Sequence, residues 1–372
     1  MHFDYLEEHE MLRDAAHGYL QRNDPILQLR STKPLDSKIR RQNSRIEAEQ
    51  GWSGMLVPEL LGGSGLSLVE AMVIAEELGH AAHPGAFAGL NAASAAIVNL
   101  GTEAQRRAVL PGLMTGDPLA WAPSSAVPGA GSSKSSSVAA ERVADGWRMT
   151  GTTQFVQDAD IAEHLLVEAV TKNGLSQFVL TTTMSGVDVR PALTIDVSRR
   201  FCDVTFNDLI VPDSALLGVD GAAMQPMAYQ RLVAAVLTAA DSVGIATRLL
   251  NMAVAYTKER IAFGKSLAAF QAVKHRCADM LVQVETSRVA TWYAAIAIRD
   301  SRPDMAEAAS IAKFYATEAA SLVASQALQL HGAIGMTWEH DLHLFYKRAK
   351  ANEMLWDSNA THRERVATAM SI

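Results

Sequence analysis

The chain is poor in cysteine and in positive charge. Its 372 residues include two cysteines, Cys202 and Cys277, which lie far apart in sequence. Neither a disulfide framework nor a thiolate zinc site can therefore form within one chain. The 33 Lys and Arg residues oppose 40 Asp and Glu, the net charge is −7, and there is no basic block. This balance gives no electrostatic reason to expect a nucleic acid or an anionic membrane as a partner.

Signals for export and for membrane insertion are also lacking. The acidic start, MHFDYLEEHEML, has neither the charged n-region nor the apolar h-region of a secretory signal, so we expect a reducing, cytoplasmic location. The most apolar window, 232–255, contains Asp241 and Arg248. A charged side chain near the centre of a bilayer costs about 3 kcal/mol. The window is therefore predicted to be a buried helix rather than a membrane span.

The pattern of the sequence divides it into three blocks. Residues 1–118 have helical periodicity, including a second apolar run at 67–79, and a Gly-rich turn at 62–65 separates the two runs. Residues 119–212 change to short β-branched and aromatic runs, which are typical of strands, and GAGSSKSSS within them is predicted to be a surface loop. Residues 213–372 return to a helical pattern. The predicted fold class is α+β and mostly α.

The third block is predicted to contain four long helices. Their expected bounds are 224–261, 268–300, 304–330 and 341–370, and they indicate an antiparallel bundle. Helices of this length with apolar residues on more than one face usually need a second chain to cover them. We therefore expect a homo- or hetero-oligomer.

Two histidine pairs have helix-compatible spacing. They are His80 with His83 and His340 with His343, but neither has the HExxH pattern or an obvious third ligand. The sequence predicts helix-end histidines and no metal site. There is also no GxSxG elbow and no Cys–His arrangement, so acyl transfer through a nucleophile has no support.

Two segments combine Gly, Gln, Arg and aromatic residues at helix boundaries. In the first, Arg260 and Phe263 end one helix and Gln271 opens the next, where free backbone amides and a guanidinium can meet a pyrophosphate. In the second, QLHGAIG, two glycines permit close approach of a ligand. The alternative is that both are helix–helix turns with glycine caps.

At these two segments the sequence resembles the acyl-CoA dehydrogenase family. ERIAFGKSLAAFQAVKHRCADM is similar to the family's Arg-x-x-Phe-Gly…Phe-Gln…Ala-Asp-Met signature, and ALQLHGAIGMTWEHDLHLFYKRAK is similar to its Gln-x-x-Gly-x-x-Gly segment. The similarity continues through GWSGMLVPELLGGSGLSLVEAMVIAEELG, GTTQFVQDADIAEHLLVEA and DVTFNDLIVPDSALLG, and so runs nearly the full length. It implies an N-terminal helical domain (1–118), a small central β-barrel (119–212) and a C-terminal four-helix bundle (213–372).

The resemblance also implies a reaction. It predicts an FAD enzyme of lipid β-oxidation that converts an acyl-CoA thioester to the 2-enoyl-CoA and is reoxidised by an electron-transfer flavoprotein or a similar acceptor. Members are typically tetramers with FAD at a subunit interface. Carried over by position, the expected FAD contacts are Arg260, Phe263 and Gln271, then Gln329 and Gly332 toward a neighbouring subunit, and Phe155, Val156 and Gln157 at the flavin ring.

The catalytic base departs from the family pattern. Members commonly place a Glu in a Tyr-Glu-Gly-Thr loop before the last helix, but alignment puts Trp356 at that position and Asp357 one residue later. A second branch takes its Glu from the first bundle helix, where this chain has Gln230 before Arg231. Ala122-Pro123-Ser124-Ser125 also replaces the family's Thr-Glu-Pro loop. Asp357 can act as the base if the loop shifts, and otherwise caps the loop or faces solvent.

Three hypotheses follow. The first is an acyl-CoA dehydrogenase with Asp357 or an unrecognised carboxylate as its base. The second is a catalytically silent subunit of a heteromeric acyl-CoA dehydrogenase whose partner supplies the base, because the Trp-Asp-Ser loop is similar to a branch that pairs unlike subunits, some of them associated with sterol side-chain thioesters. The third is a helical protein that has lost flavin, against which the retained Arg260, Phe263 and Gln271 count.

Overall fold

The computed structural model describes residues 6–31, 36–124 and 138–372. The predicted surface loop at 129–137 and Ser125 lie outside these ranges. Six helices make up the N-terminal block: α1 (Glu7–Asn23), α2 (Pro25–Ser31), α3 (Ser37–Glu49), α4 (Leu68–His80), α5 (Phe87–Leu100) and α6 (Glu103–Thr115).

Local sequence explains where these helices begin. The Ser67 hydroxyl accepts the Val69 amide at 3.2 Å, and the Glu70 carboxylate accepts the Ser67 amide at 2.8 Å, which forms a capping box at the start of α4. Thr102 and Gln105 cap α6 in the same way. The predicted turn before α4 is confirmed, since Gly62 and Gly65 both adopt a positive φ.

The central block is one sheet with its own apolar core. Its strands are β1 (Leu119–Ala122), β2 (Val138–Val143), β3 (Gly146–Gln157), β4 (His164–Thr171), β5 (Gly174–Thr181), β6 (Val187–Pro191), β7 (Phe201–Val211) and β8 (Leu216–Leu217). They follow the order β6-β7-β3-β2-β4-β5-β8, with β1 beside β4. In the part of the chain that the structure describes, no pairing joins the edge strands β6 and β8. The central sheet is therefore confirmed but its closure into a barrel is not.

The bundle is formed by α7 (Met224–Glu259), α8 (Gln271–Arg299), α9 (Met305–His331), α10 (Leu342–Asn352) and α11 (Asn359–Ala369). A short hairpin, β9 (Ile261–Ala262) and β10 (Lys265–Ser266), joins α7 to α8. The prediction of one last helix over 341–370 is wrong. Helix α10 ends at Asn352, Trp356 and Asp357 in the following turn adopt φ values of 54° and 81°, and the Ser358 hydroxyl then caps α11.

Helix α7 joins the two helical blocks. By length and composition it is the one described helix that is long and apolar enough to cross a membrane, but 83% of its most apolar window is buried inside the protein. It crosses α4 with backbones in contact, because a Cβ at Gly244 would lie 1.9 Å from the Glu76 carbonyl oxygen and one at Gly79 would lie 2.0 Å from that of Asp241. These two glycines fix α7 against the N-terminal block.

Candidate active site

The turn between α10 and α11 places Trp356 over the central sheet. Its indole stacks on that of Trp121 in β1, with ring centroids 4.7 Å apart and planes 14° from parallel. The far edge of the Trp356 ring lies against α5, where a Cβ added at Gly89 would approach it to 3.1 Å. The cavity left between α5, α7 and Trp356 has a volume of about 20 Å³. Such a space holds about one water molecule.

A buried carboxylate lies below this stack. Glu168 in β4 is fully buried and accepts hydrogen bonds from the Trp121 Nε1 at 3.0 Å and from the Ser124 amide at 2.7 Å. The Arg231 guanidinium in α7 forms an ion pair with this carboxylate, with Arg231 Nη2 2.9 Å from Glu168 Oε2. Burial raises the pKa of the Glu168 carboxyl, while Arg231 and the two hydrogen bonds lower it. This network fixes β1 and α7 to each other.

Asp357 belongs to the same charge network. Its side chain is 4% exposed, with Oδ2 2.6 Å from Arg365 Nη2 and Oδ1 3.8 Å from Arg231 Nη1. Burial alone would raise the pKa of this carboxyl, but the two guanidinium groups outweigh burial and hold the pKa below its usual range. The carboxylate is thus a weakened proton acceptor, and it neither faces solvent nor caps a helix.

The resemblance gives a second possible position for the base, in α7, and this chain has a neutral side chain there as well. Gln230 is 1% exposed and exchanges two hydrogen bonds with Gln177 of β5, at 2.8 and 3.1 Å. Both amides are therefore satisfied by each other. The pair links α7 to the sheet, and neither side chain can act as a base.

Two buried side chains, Lys313 and His362, contact backbone oxygens of the turn between α10 and α11 that contains Trp356. Lys313 of α9 is fully buried, and its Nζ lies 3.4 Å from the Glu353 carbonyl oxygen, 3.5 Å from that of Asp357 and 3.2 Å from Asn359 Oδ1. His362 Nε2 lies 3.0 Å from the Trp356 carbonyl oxygen. Burial lowers the pKa of Lys313 to about 7 and that of His362 to about 4. Both groups hold a turn whose positive φ angles are unfavourable for non-glycine residues.

The residues expected at the flavin ring lie on an irregular end of β3. The register between β3 and β7 shifts between Thr153 and Val156, which is a bulge, and Phe155 has a φ of 57° there. The bulge turns Phe155 outward, 58% exposed, while Val156 is fully buried and Gln157 is 7% exposed. Gln157 and Trp356 line the same small cavity.

The residues expected at the pyrophosphate lie at the opposite end of α7. Arg260 follows its last residue, and the Arg260 side chain forms no hydrogen bond or ion pair within the described residues. Phe263 is 92% exposed, and Gln271 opens α8, which has no side-chain cap. Gln329 and Gly332 are exposed at the end of α9. No atom lies within 4 Å of a Cβ added at Gly332.

These two groups of residues lie at different levels along α7. Gln157 and Trp356 line a cavity with Asp241 of α7, and Asp241 is about 28 Å from Arg260 along the helix, at 1.5 Å per residue. The structure brings together Gln157, Trp356 and Asp357, and it separates them from Arg260, Gln271 and Gly332.

Several site residues carry no recognisable sequence signal. Glu168 and Arg231 are 63 positions apart, and Lys313 lies 44 positions from Asp357. A lone Glu within an apolar strand and a lone Lys within an Ala-rich helix are the only hints, since such residues are seldom fully buried unless paired.

Comparisons with known proteins agree on one family. A family model described as "Acyl-CoA dehydrogenase, N-terminal domain" matches residues 6–117, and one described as "Acyl-CoA dehydrogenase, C-terminal domain" matches residues 221–371. The acyl-CoA dehydrogenase IpdE2 of Mycolicibacterium smegmatis is 31% identical over 354 residues, which cover 94% of each chain.

Two further proteins extend the comparison. The mitochondrial short-chain specific acyl-CoA dehydrogenase of Bos taurus is 27% identical over 97% of this chain and 89% of its own length. Among solved structures, a variant of the Tcur3481-Tcur3483 steroid ACAD has a TM-score of 0.87 and 28% identity, with 98% of each chain covered. This protein therefore belongs to the acyl-CoA dehydrogenase family, the FAD-dependent oxidoreductases that convert acyl-CoA thioesters to 2-enoyl-CoA.

Proposed function

We propose that this chain is the subunit without a catalytic base in a heteromeric acyl-CoA dehydrogenase, and that a partner chain supplies the carboxylate. The observation that carries the proposal is the position of Trp356, whose indole stacks on Trp121 at the alignment position of the usual Glu. An indole cannot accept an α-proton. The chain contributes instead to the flavin sites of the assembly.

The remaining candidates for a base are poorly suited to it. A general base must come within about 3 Å of the proton that it takes and must have a pKa near the working pH. Asp357 is held between Arg231 and Arg365, and its pKa lies below its usual range. Gln230 is neutral and paired with Gln177. The cavity beside Trp356 has a volume of about 20 Å³, which is about the space for one water molecule.

The residues at the far end of α7 fit FAD. Arg260 offers an unpaired guanidinium within the described residues, and the uncapped start of α8 offers backbone amides, so both can bind a pyrophosphate. Gly264 and Gly332 have open space where a side chain would be, which permits close approach of a ligand. When bound, FAD supplies the acceptor for the β-hydride. The chain's own residues bind and orient it.

An assembly of chains is needed to complete these sites. The ring-side residue Gln157 lines a cavity with Asp241 of α7, about 28 Å along the helix from Arg260 on the pyrophosphate side. Exposed apolar side chains, Leu281, Val282 and Val289, also follow the outer face of α8. We therefore propose a heterotetramer in which each flavin contacts two chains, as the resemblance predicts.

The substrate and acceptor follow from the relatives. The similar Tcur3481-Tcur3483 protein is named as a steroid ACAD and carries two designations. This supports a two-chain enzyme acting on a sterol side-chain CoA thioester, with an electron-transfer flavoprotein as the acceptor. We further propose a cytoplasmic location, consistent with the free thiols of Cys202 and Cys277.

An anaerobic titration tests the proposal. The flavin absorbance is followed while straight-chain and sterol side-chain acyl-CoA thioesters are added, first to the isolated chain and then to the complex recovered from native cells through a tag on this chain. We expect no bleaching with the isolated chain and full bleaching with the complex. Bleaching of the isolated chain that disappears in Asp357→Asn would instead establish a self-sufficient dehydrogenase.

A further inference from the structure

One cluster of metal-ligand side chains lies outside the active site. His17 of α1 and Glu77 and His80 of α4 each offer one ligand atom, and these atoms all lie within 4.8 Å of one another. His17 Nδ1 is 2.8 Å from Glu77 Oε2. The His80 ring forms no hydrogen bond within the residues that the structure describes. The three side chains line a cavity of about 450 Å³ between α1, α4 and α7.

The arrangement has the composition of a transition-metal site. We propose that His17, Glu77 and His80 bind one divalent metal ion of the zinc class, and that this ion joins α1 to α4. Two imidazoles and one carboxylate are a known ligand set for zinc with an open fourth position. Glu77 and His80 have the Glu-x-x-His spacing that places both side chains on one face of a helix.

The distances require only a small adjustment. Zinc–nitrogen bonds of about 2.0–2.1 Å in a tetrahedron place ligand atoms roughly 3.3 Å apart. The cluster must therefore close by about 1.5 Å at its widest, which lies within the range of side-chain rotation for the partly exposed His80 ring. The fourth position opens on the cavity and can hold water.

The second ring nitrogen of the proposed ligand His17 already has a hydrogen-bond partner. His17 Nε2 lies 2.8 Å from the Gln21 side-chain amide. With metal at Nδ1, His17 Nε2 carries the proton and donates to the Gln21 oxygen after rotation of the amide. Such partners fix the tautomer and orientation of a ligating histidine, and their loss typically weakens metal binding 10- to 100-fold.

The surrounding charges set the strength of the site. Arg248 of α7 lines the same cavity, and burial, Arg248 and His17 together lower the pKa of His80 to about 4. Arg13 also acts on Glu77, whereas the neighbouring Glu76 is engaged by Arg288. Arg248 therefore opposes the positive charge of the metal and weakens the site.

Equilibrium dialysis of the full-length protein against Zn²⁺ tests the site. We expect one ion per chain, at least tenfold weaker binding in His80→Gln and in His17→Gln, and tighter binding in Arg248→Met. Thermal melting with and without EDTA gives a readout that is independent of dehydrogenation, because a ligand bound only to the folded state raises the melting temperature.

A matched control separates metal binding from helix docking. His9 and Glu70 form the other His–Glu contact between α1 and α4, at 3.3 Å, and lie away from the cluster. His9→Gln is expected to bind zinc like the wild type even if α1 docks less firmly. Absence of bound zinc in the wild type, or equal zinc binding in His80→Gln and the wild type, would overturn the proposal. The proposed function as a base-lacking subunit does not depend on either outcome.

Discussion

Trp356 stacks on Trp121 at a centroid distance of 4.7 Å, across the boundary between the bundle and the central sheet. The stack depends on two non-glycine residues with positive φ, Trp356 and Asp357. It is supported below by Glu168 and Arg231, and behind by Lys313. The position at which the resemblance predicts a base is therefore a packed structural contact in this chain.

Removing this contact should destabilise the protein. Trp356→Ala removes a large, half-buried ring and leaves a cavity beside Gly89, and Trp→Ala changes in cores cost about 3–5 kcal/mol. Since Trp356 is only partly buried, we expect the low end of that range. Denaturant unfolding measures the change. Trp356→Phe retains an aromatic ring and should lose less than half as much.

Neutralising Glu168 should leave a buried cation without its partner. Glu168→Gln keeps the shape of the side chain and one of the hydrogen bonds that it accepts from Trp121 and Ser124, but removes the charge that faces Arg231. Breaking a buried ion pair costs about 3 kcal/mol or more. The control is Glu103→Gln, whose partner Arg107 is exposed, so little change in unfolding free energy is expected there. Equal effects in the two variants would contradict the role of Glu168.

The buried Lys313 should make stability depend on pH. Its pKa is about 7 in the folded protein, against an ordinary value of 10.5, because burial disfavours the charged form. Between pH 7 and 10.5 the unfolded chain thus binds a proton that the folded chain does not. The unfolding free energy should rise with pH over this range, at up to about 1.4 kcal/mol per pH unit, and the benefit is lost as the pH falls to 7.

The Lys313 effect is isolated by a difference measurement. Lys313→Met removes the titrating group but keeps most of the buried stem, so its unfolding free energy should lack this slope. The comparison is made between pH 7 and 9.5 by urea unfolding of both proteins. Parallel pH profiles for the wild type and Lys313→Met would show that Lys313 stays charged in the folded state.

Flavin retention should depend on Arg260. Loss of a charge-assisted hydrogen bond to a pyrophosphate costs about 2 kcal/mol, which corresponds to roughly 30-fold weaker FAD binding in Arg260→Ala. Two measurements report the FAD affinity of the variant: its flavin content after gel filtration, and a titration of its apoprotein with FAD. Arg107→Ala, which removes an exposed guanidinium elsewhere, is the control. Unchanged FAD binding in Arg260→Ala would reject its assignment.

The sequence predicts most of the architecture because its signals are local. The helix at 67–79 and the first bundle helix at 224–261 agree with α4 and α7 to within two residues at each end. Both begin or end at features that act over a few positions, such as the capping box of Ser67 and Glu70. The break at Trp356 was not predicted because Trp is an unusual residue for positive φ, and the helical pattern continues on both sides.

Contacts between distant segments could not be predicted in this way. His17 and Glu77 are 60 positions apart, and Arg231 and Glu168 are 63 apart, and each pairing depends on how whole elements pack. The sequence therefore predicted which residues contact flavin, but not that the structure places them at different levels along α7. It also could not reveal that His17 lies beside Glu77 and His80.

The length of α7 has a consequence for how such an enzyme is made in the cell. In the proposed assembly this one helix contributes to two different flavin sites, so a chain without its partner would hold two halves of sites and no whole one. Balanced synthesis of the two subunits then becomes a determinant of activity, since any surplus chain adds protein mass without adding a working centre.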